Sequence, residues 1–247
     1  MLKSFHNHPH IDIIIPGNAE KTIEFSANHL LETAYSAVAK KNRFSIALSG
    51  GSTPKALFSY LAKNHAGDEV FKKTLVFWSD ERNALPTDQE SNYHMAMSSG
   101  IEKLSIPKNH IFRMKGENPL HDHAKEYEKL IHEQVSSASF DLIMLGMGED
   151  GHTASLFPAT LALNEKKRLV IPNYVDQKKC WRMTFTYPLI HEASNVVFYI
   201  IGKSKASIVN QVYHDNKGQF PASRAYGKNS RALWILDHEA ASELQSS

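Results

Sequence analysis

Short runs of branched and aromatic residues alternate along this chain with longer stretches in which apolar residues recur at helical spacing. The short runs predict eight strands, at 11–15, 44–48, 75–78, 141–145, 169–172, 183–186, 196–201 and 232–236. The helical spacing predicts helices, the clearest at 19–40, 55–64, 119–135 and 203–213. This alternation is typical of an α/β fold. We expect a single-domain three-layer sandwich over residues 1–247, with a mostly parallel, Rossmann-like sheet and helices on both faces.

Polar clusters directly follow four of the predicted strands. They are Ser-Gly-Gly-Ser-Thr-Pro at 49–54, Ser-Asp-Glu-Arg at 79–82, Gly-Met-Gly-Glu-Asp-Gly-His at 146–152 and Gly-Lys-Ser-Lys at 202–205. The carboxyl ends of parallel strands meet at one edge of a sheet, where ligands bind. We therefore expect these distant clusters to converge on one crevice.

The first cluster is suited to holding an anion. Gly50 and Gly51 permit a tight turn and a close approach of the backbone to a ligand. Ser52 and Thr53 are good N-cap residues, and Pro54 suits a first helical position. The helix would then direct its free N–H groups at the crevice. An ordinary capped turn is the alternative, because the cluster matches neither a Walker loop nor a dinucleotide fingerprint.

Charged residues in the other clusters complete a candidate site. Just past strand ends lie Asp80, Arg82 and Lys205, which are the candidate substrate-binding residues of these clusters. Arginine and lysine side chains both bind phosphate. Arg182 is predicted either to face the crevice or to lie outside the sheet. Asp150 and His152 flank a glycine, and histidine is suited to general base catalysis near neutral pH.

Composition narrows the classes of function. The 247 residues carry a net charge of only +2 with histidines neutral, which disfavours nucleic-acid binding through bulk charge. No apolar run approaches the ~20 residues that a membrane helix needs, and the N-terminus lacks a signal-peptide pattern. Cys180 is the only cysteine, so no internal disulfide is expected. These features predict a cytoplasmic protein without membrane partners.

Metal binding fits the sequence poorly. His121 and His123 are two positions apart, and neither they nor the Asp150 and His152 pair have the spacing of known zinc sites. The alternating His6, His8 and His10 could chelate a metal in principle, but a polar segment leading into the first strand is the favoured interpretation. We expect no metal.

Taken in order, the clusters resemble the 6-phosphogluconolactonase family. The resemblance rests on 49–54, on 79–82 with Ser91 and Asn92 beyond it, and on Gly-Met-Gly-Glu-Asp-Gly-His-Thr-Ala-Ser-Leu-Phe-Pro at 146–158. Arg-Met-Thr-Phe-Thr at 182–186 and Gly-Lys-Ser-Lys-Ala at 202–206 complete it. The family often continues Asp-Glu-Arg-x-Val-Pro, whereas Ala84, Leu85 and Pro86 stand here, so the loop conformation is expected to differ.

The resemblance implies a fold shared with glucosamine-6-phosphate deaminases and related to ribose-5-phosphate isomerases and CoA transferases. It implies hydrolysis of 6-phosphogluconolactone in the oxidative pentose phosphate pathway, without a cofactor. By the same similarity His152 is the base, and Arg82 and Lys205 hold the phosphate with Ser52 and Thr53.

Two alternatives remain open. Deaminases of this superfamily carry glutamate where this chain has Phe157, and tyrosine where it has Arg82, so both positions favour the lactonase. A non-catalytic sugar-phosphate sensor is the other alternative, although no appended DNA-binding motif is visible. A small-molecule substrate is the only partner expected, and a monomer is favoured.

Overall fold

A computed structural model describes residues 3–5 and 8–244, so His6 lies outside the described residues. The strands are β1 Lys3–Phe5, β2 Ile11–Ile15, β3 Phe44–Leu48, β4 Thr74–Trp78, β5 Asp80–Arg82, β6 Leu142–Leu145, β7 Val170–Val175, β8 Cys180–Phe185, β9 Val196–Ile200 and β10 Ala232–Leu236. The α-helices are α1 Ala19–Lys41, α2 Ser52–Asn64, α3 Asn92–Ser99, α4 Leu120–Gln134, α5 Tyr187–His191 and α6 Ala206–Tyr213.

Seven strands form one twisted sheet in the order β1-β2-β10-β9-β6-β3-β4. Every pair in it is parallel except β1 with β2, where Ser4 pairs with Ile14. Strands β3, β6 and β9, and β4 at the edge, are buried along their whole length, because helices cover parallel strands on both sides. The predicted α/β class and mostly parallel sheet are confirmed.

The two faces of the sheet are visible at the end of β4, because successive side chains of a strand point to opposite sides. The Phe77 ring contacts Tyr127 of α4, with ring centroids 5.9 Å apart. The Trp78 ring contacts Tyr93 of α3 at 5.2 Å. Helix α2 packs against both α1 and α3, and α1 also contacts β3 and β10. Helices therefore lie on both faces, as predicted.

The longest helix, α1, begins and ends at signals within its own sequence. The Asn18 side chain accepts a hydrogen bond from the Lys21 amide at 3.1 Å, and Asn42 ends the helix in the left-handed conformation. Its buried face includes Ala27, Leu30 and Ala34. These small and branched residues let the helix pack closely on the sheet.

Two predicted strands, 169–172 and 183–186, were wrongly assigned to the parallel sheet. They belong to β7 and β8, which pair antiparallel with each other in a separate sheet ordered β5-β8-β7, where β8 also pairs antiparallel with β5. Ser79 joins the two sheets: its amide donates to Leu48 O at 2.8 Å, and its carbonyl accepts from the Phe185 amide at 2.8 Å. Strand β7 runs through Pro172 because it lies at an edge of the small sheet, where proline is tolerated.

Helix boundaries also differ from the prediction. Helix α2 begins at Ser52, with Gly51 as N-cap and no side-chain capping bond. The prediction of Ser52 or Thr53 as the cap was therefore wrong, because the turn at Gly51 already lets the chain enter the helix. Helix α6 begins at Ala206 after a short 3-10 turn. The segments 83–91 and 214–226 contain no α-helix and no strand.

The amino-terminal histidines make ring contacts. His10 stacks on Tyr226 at 4.2 Å, and His8 lies 5.3 Å from Tyr213. Across residues 3–5 and 8–244, no group of three or more metal-ligating side chains is positioned to hold an ion. None of the helices formed by these residues has the length and apolar character of a membrane span.

Candidate active site

One crevice of about 220 Å³ lies at the carboxyl ends of the parallel strands. All four polar clusters reach it, as predicted from their positions after strands. Arg182 of β8 also lines it, which settles the alternative left open by the sequence. The lining consists of Ser49, Gly50, Gly51, Asp80, Arg82, Gly146, Met147, Gly148, His152, Ala154, Arg182 and Lys205.

The glycine loop contributes backbone to this crevice. A Cβ on Gly50 would lie 2.0 Å from the Asn92 side-chain oxygen, so only glycine allows Asn92 to approach the loop. The predicted hydroxyl contacts of Ser52 and Thr53 are not found here. Both residues line a neighbouring groove with Ile23 of α1, because the helix starts at Ser52 and its turn carries their side chains away from the crevice.

Asp80 enters the crevice as an oriented carboxylate. It is 5% exposed, and its oxygens accept hydrogen bonds from Ser155 Oγ at 2.7 Å and Asn92 Nδ2 at 3.1 Å. The Ser155 amide donates to Thr184 Oγ1 at 3.0 Å, which ties this segment to β8. Asp80 thus keeps a fixed orientation towards any ligand hydroxyl.

The neighbouring Glu81 points away from the crevice and holds the start of α3. Its carboxylate accepts four hydrogen bonds of 2.7 to 2.9 Å, from Ser91 Oγ and from the amides of Arg82, Asn92 and Tyr93. Burial raises the pKa of Glu81, and these hydrogen bonds oppose the rise. Glu81 therefore fixes both the strand that carries Arg82 and the helix that carries Asn92.

Two arginines lie side by side in the crevice wall. Arg82 of β5 pairs directly with Arg182 of β8 in the antiparallel register. Like charges opposite each other destabilise a sheet. The Nε atoms of both are buried and have no hydrogen-bond partner among the described residues. Arg82 Nη1 donates to the Glu90 carbonyl at 2.8 Å. The arrangement is suited to binding an anion.

Lys205 also lines the crevice. Its Nζ donates to the Met147 carbonyl at 2.8 Å, which links the start of α6 to the turn after β6. This bond uses one of the three ammonium donors. Within residues 3–5 and 8–244, the crevice is thus lined by three cationic side chains and by one carboxylate, that of Asp80.

His152 lines the crevice, and Asp150 orients its ring through a hydrogen bond. Its Nδ1 lies 2.5 Å from Asp150 Oδ1, and the backbone amide of His152 donates to the same oxygen at 3.1 Å. Partial burial raises the pKa of Asp150, but the hydrogen bond and charge of His152 outweigh it and hold that pKa below its ordinary value. With Nδ1 donating to the carboxylate, Nε2 is left as an acceptor. Asp150 itself does not line the crevice.

The backbone around His152 is tightly packed. A Cβ on Gly148 would lie 2.1 Å from Cε1 and Nδ1 of the imidazole, so glycine is required there. The Gly148 amide donates to the His152 carbonyl at 2.9 Å, and the Ala222 amide donates to the Gly151 carbonyl at 2.9 Å. Phe220 packs against Gly151. The segment around Phe220 therefore supports the turn.

Sequence reasoning missed the residues that orient the others. Ser155 holds Asp80, and Phe157 lies on the His152 ring with centroids 3.8 Å apart. Asn92 and Phe157 stood in the recognised motifs without a structural role. One signal was available: each of these polar or aromatic residues lies near a candidate site residue in the same motif or in a neighbouring one. The spacing of residues could not show which pairs of side chains are in contact.

Comparison with known proteins agrees with this architecture. The family model described as glucosamine-6-phosphate isomerases/6-phosphogluconolactonase matches residues 17–234. A 6-phosphogluconolactonase of Chlamydia muridarum is 39% identical over 228 residues, covering 92% of this chain and 88% of that protein. One from Synechocystis is 35% identical over 246 residues, covering 96% and 99%.

A solved structure, the 6-phosphogluconolactonase from Trypanosoma cruzi, superposes with a TM-score of 0.82 at 30% identity and covers 98% of this chain and 100% of that one. Its fold and the sequence matches agree over nearly the whole length of the chain. This chain belongs to the glucosamine-6-phosphate isomerase/6-phosphogluconolactonase family.

Proposed function

We propose that this chain hydrolyses 6-phosphogluconolactone to 6-phosphogluconate, with His152 as the general base. The similarity to 6-phosphogluconolactonases over more than nine tenths of the chain makes it a lactone hydrolase of the pentose phosphate pathway. The mechanism rests on one observation: the crevice holds a histidine that is hydrogen-bonded to Asp150, and two adjacent arginines whose Nε atoms have no partner in the described part of the chain.

The positive charges of Arg82, Arg182 and Lys205 support binding of the substrate's phosphate. Bringing an anion between Arg82 and Arg182 would relieve the repulsion of their charges and give their buried Nε atoms an acceptor. Lys205 and the backbone of Gly50 and Gly51 border the same space. Guanidinium groups bind phosphate through paired hydrogen bonds, so these two strands provide a rigid grip.

Binding of the phosphate by these cationic residues would hold the lactone in place while a water attacks its C1 carbon. The Asp80 carboxylate would accept a hydrogen bond from a sugar hydroxyl. The attacking water would lie between His152 Nε2 and the C1 carbonyl carbon. As the water oxygen bonds to C1, its proton passes to Nε2, and Asp150 stabilises the imidazolium. Collapse of the adduct breaks the bond from C1 to the ring oxygen, which takes the proton from Nε2. Such positioned base catalysis contributes about 10²- to 10⁴-fold.

The deaminase alternative fits the site less well. The position where deaminases of the superfamily carry glutamate is Phe157, whose ring lies on His152. Among the residues that the structure describes, no carboxylate other than Asp80 lines the crevice. Ring opening of an amino sugar would therefore lack the second carboxylate that this chemistry uses in those enzymes.

The test is hydrolysis of freshly generated 6-phosphogluconolactone, with spontaneous hydrolysis subtracted. His152→Ala should lower kcat by about 10²- to 10⁴-fold and change KM less. His65→Ala is a matched control, because His65 also pairs with an aspartate, Asp68, at 3.3 Å but lies outside the crevice. The control should keep the wild-type rate.

Two results would contradict the proposal. Equal activity of the His152→Ala and wild-type proteins would exclude His152 as the base. A wild-type rate at the spontaneous background, with the phosphosugar still bound, would favour a non-catalytic sugar-phosphate-binding protein. Gluconolactone without a phosphate should be a poor substrate, since it cannot bind to Arg82, Arg182 and Lys205 through a phosphate group.

A further inference from the structure

The imidazole of His152 makes two contacts that differ in what they constrain. The hydrogen bond to Asp150 fixes the edge that carries Nδ1. One hydrogen bond leaves the plane of the ring free to rock about the line that joins the two atoms. Phe157 contacts a face of the ring, with centroids 3.8 Å apart and planes inclined by 19°. The second contact therefore restricts the motion that the first allows.

Phe157 is itself held firmly. It is 2% exposed, and its carbonyl accepts hydrogen bonds from the Thr160 hydroxyl at 2.8 Å and the Thr160 amide at 3.3 Å. Thr153 and Leu156 form a β-bridge that closes the segment between the two rings. A buried aromatic ring with a fixed backbone provides a flat, rigid surface.

We propose that Phe157 is a positioning residue whose ring fixes the plane of the His152 imidazole and so directs Nε2 at the attacking water. The inference rests on the proposed role of His152 as base. Phe157 does not line the crevice, so it acts through His152 and not on the substrate. Gly148 confines the same imidazole at Cε1 and Nδ1.

The geometry predicts how loss of the ring would change the kinetics. In Phe157→Leu the side chain stays apolar, and the flat surface is lost. A displacement of about 1 Å at a reacting group can cost 10²-fold in rate. We expect kcat to fall about 10- to 100-fold, with KM nearly unchanged because the arginine grip is untouched.

Phe71→Leu is the matched control. Phe71 is 3% exposed and precedes β4, so it lies at the amino edge of the sheet, opposite the crevice. The same chemical change there costs packing without touching His152. It should keep the wild-type kcat at a temperature where both variants are folded. An equal loss of kcat in both variants would show a general packing effect and overturn the proposal.

A spectroscopic readout tests the stack without relying on activity. A proton over the face of an aromatic ring is shielded, so the Cε1–H signal of His152, assigned by its absence in His152→Ala, should lie upfield of the other histidines. At about pH 9 histidine rings are neutral, which removes protonation as a cause. Phe157→Leu should return the signal to the ordinary range, and Phe71→Leu should not move it.

The outcomes separate this inference from the proposed function. An unshifted wild-type signal overturns the stack, even where Phe157→Leu fails to fold. A shifted signal with wild-type kcat in Phe157→Leu overturns the positioning role. Absence of lactone hydrolysis by the wild-type and Phe71→Leu proteins would reject the proposed function and, with it, the kinetic role of Phe157, while the signal still reports whether the stack exists.

Discussion

Replacing Asp150 by asparagine tests how much the hydrogen bond from His152 to this carboxylate contributes to the rate of hydrolysis. The carboxylate accepts from Nδ1 at 2.5 Å and from the backbone amide of His152 at 3.1 Å. Asparagine preserves the shape of the side chain. Its amide group, however, can also donate to Nδ1, which would favour the tautomer with the proton on Nε2. That tautomer cannot accept a proton from water.

The magnitude follows from the exposure of the pair. A hydrogen bond to a charged group contributes about 1.5–3 kcal/mol. The Asp150 side chain is 42% exposed, so solvent screening favours the lower part of that range. Since about 1.4 kcal/mol corresponds to tenfold in rate, Asp150→Asn should lower kcat by about 10- to 40-fold. KM should change less, because the phosphate grip lies elsewhere in the crevice.

The pH dependence has a definite sign. Although partial burial raises the pKa of Asp150, the bond to His152 holds it below its ordinary value. A carboxyl with a lowered pKa contributes stability that is complete above its unfolded pKa, about 3.9, and is lost as pH falls through the folded pKa. Asp150→Asn should therefore lose that acid-dependent part of the unfolding free energy.

The assay is background-corrected lactone hydrolysis across pH, together with urea unfolding at neutral and acidic pH. Unchanged kcat in Asp150→Asn, with the fold intact, would refute the argument that the carboxylate selects the catalytic tautomer. A large rise in KM at constant kcat would refute it too, since that pattern indicates a role in binding.

Three further predictions test the support of the site. Glu81→Gln should lower the unfolding free energy by about 1–3 kcal/mol in urea titrations, because an amide group would face backbone donors such as the Tyr93 amide; unchanged stability would contradict this. Gly148→Ala should lower kcat by about 10²-fold with the circular dichroism spectrum retained, since its Cβ would displace the His152 ring; full activity would contradict the packing argument. Arg182→Ala should raise KM about 10-fold or more and weaken inhibition by inorganic phosphate; unchanged KM would exclude Arg182 from the grip.

The local sequence was sufficient for most elements of the parallel sheet. Strands such as β6 and β9 are continuous apolar runs, and α1 carries its own caps at Asn18 and Asn42. Such signals lie within a few residues of the element they specify. The phasing of polar clusters after strands also predicted the crevice, because the carboxyl ends of parallel strands share one edge.

Strand pairing depended on contacts that no local pattern records. Strand β5 reads Asp-Glu-Arg and has no apolar alternation, so only its partner β8 makes it a strand. The runs that became β7 and β8 resemble buried strands of the main sheet. Their antiparallel pairing places Arg182 opposite Arg82, which the sequence left undecided.

The sequence by itself determined the fold class, the family and the four polar clusters that meet in the crevice, because these depend on local periodicity and on motifs in order. The tertiary structure alone decided which side chains orient the others. Ser155 and Asn92 hold Asp80, Glu81 fixes α3, and Phe157 covers His152. It also turned Ser52 and Thr53 out of the crevice. Directions of side chains follow from helix starts and strand registers, which are set by packing across the whole domain.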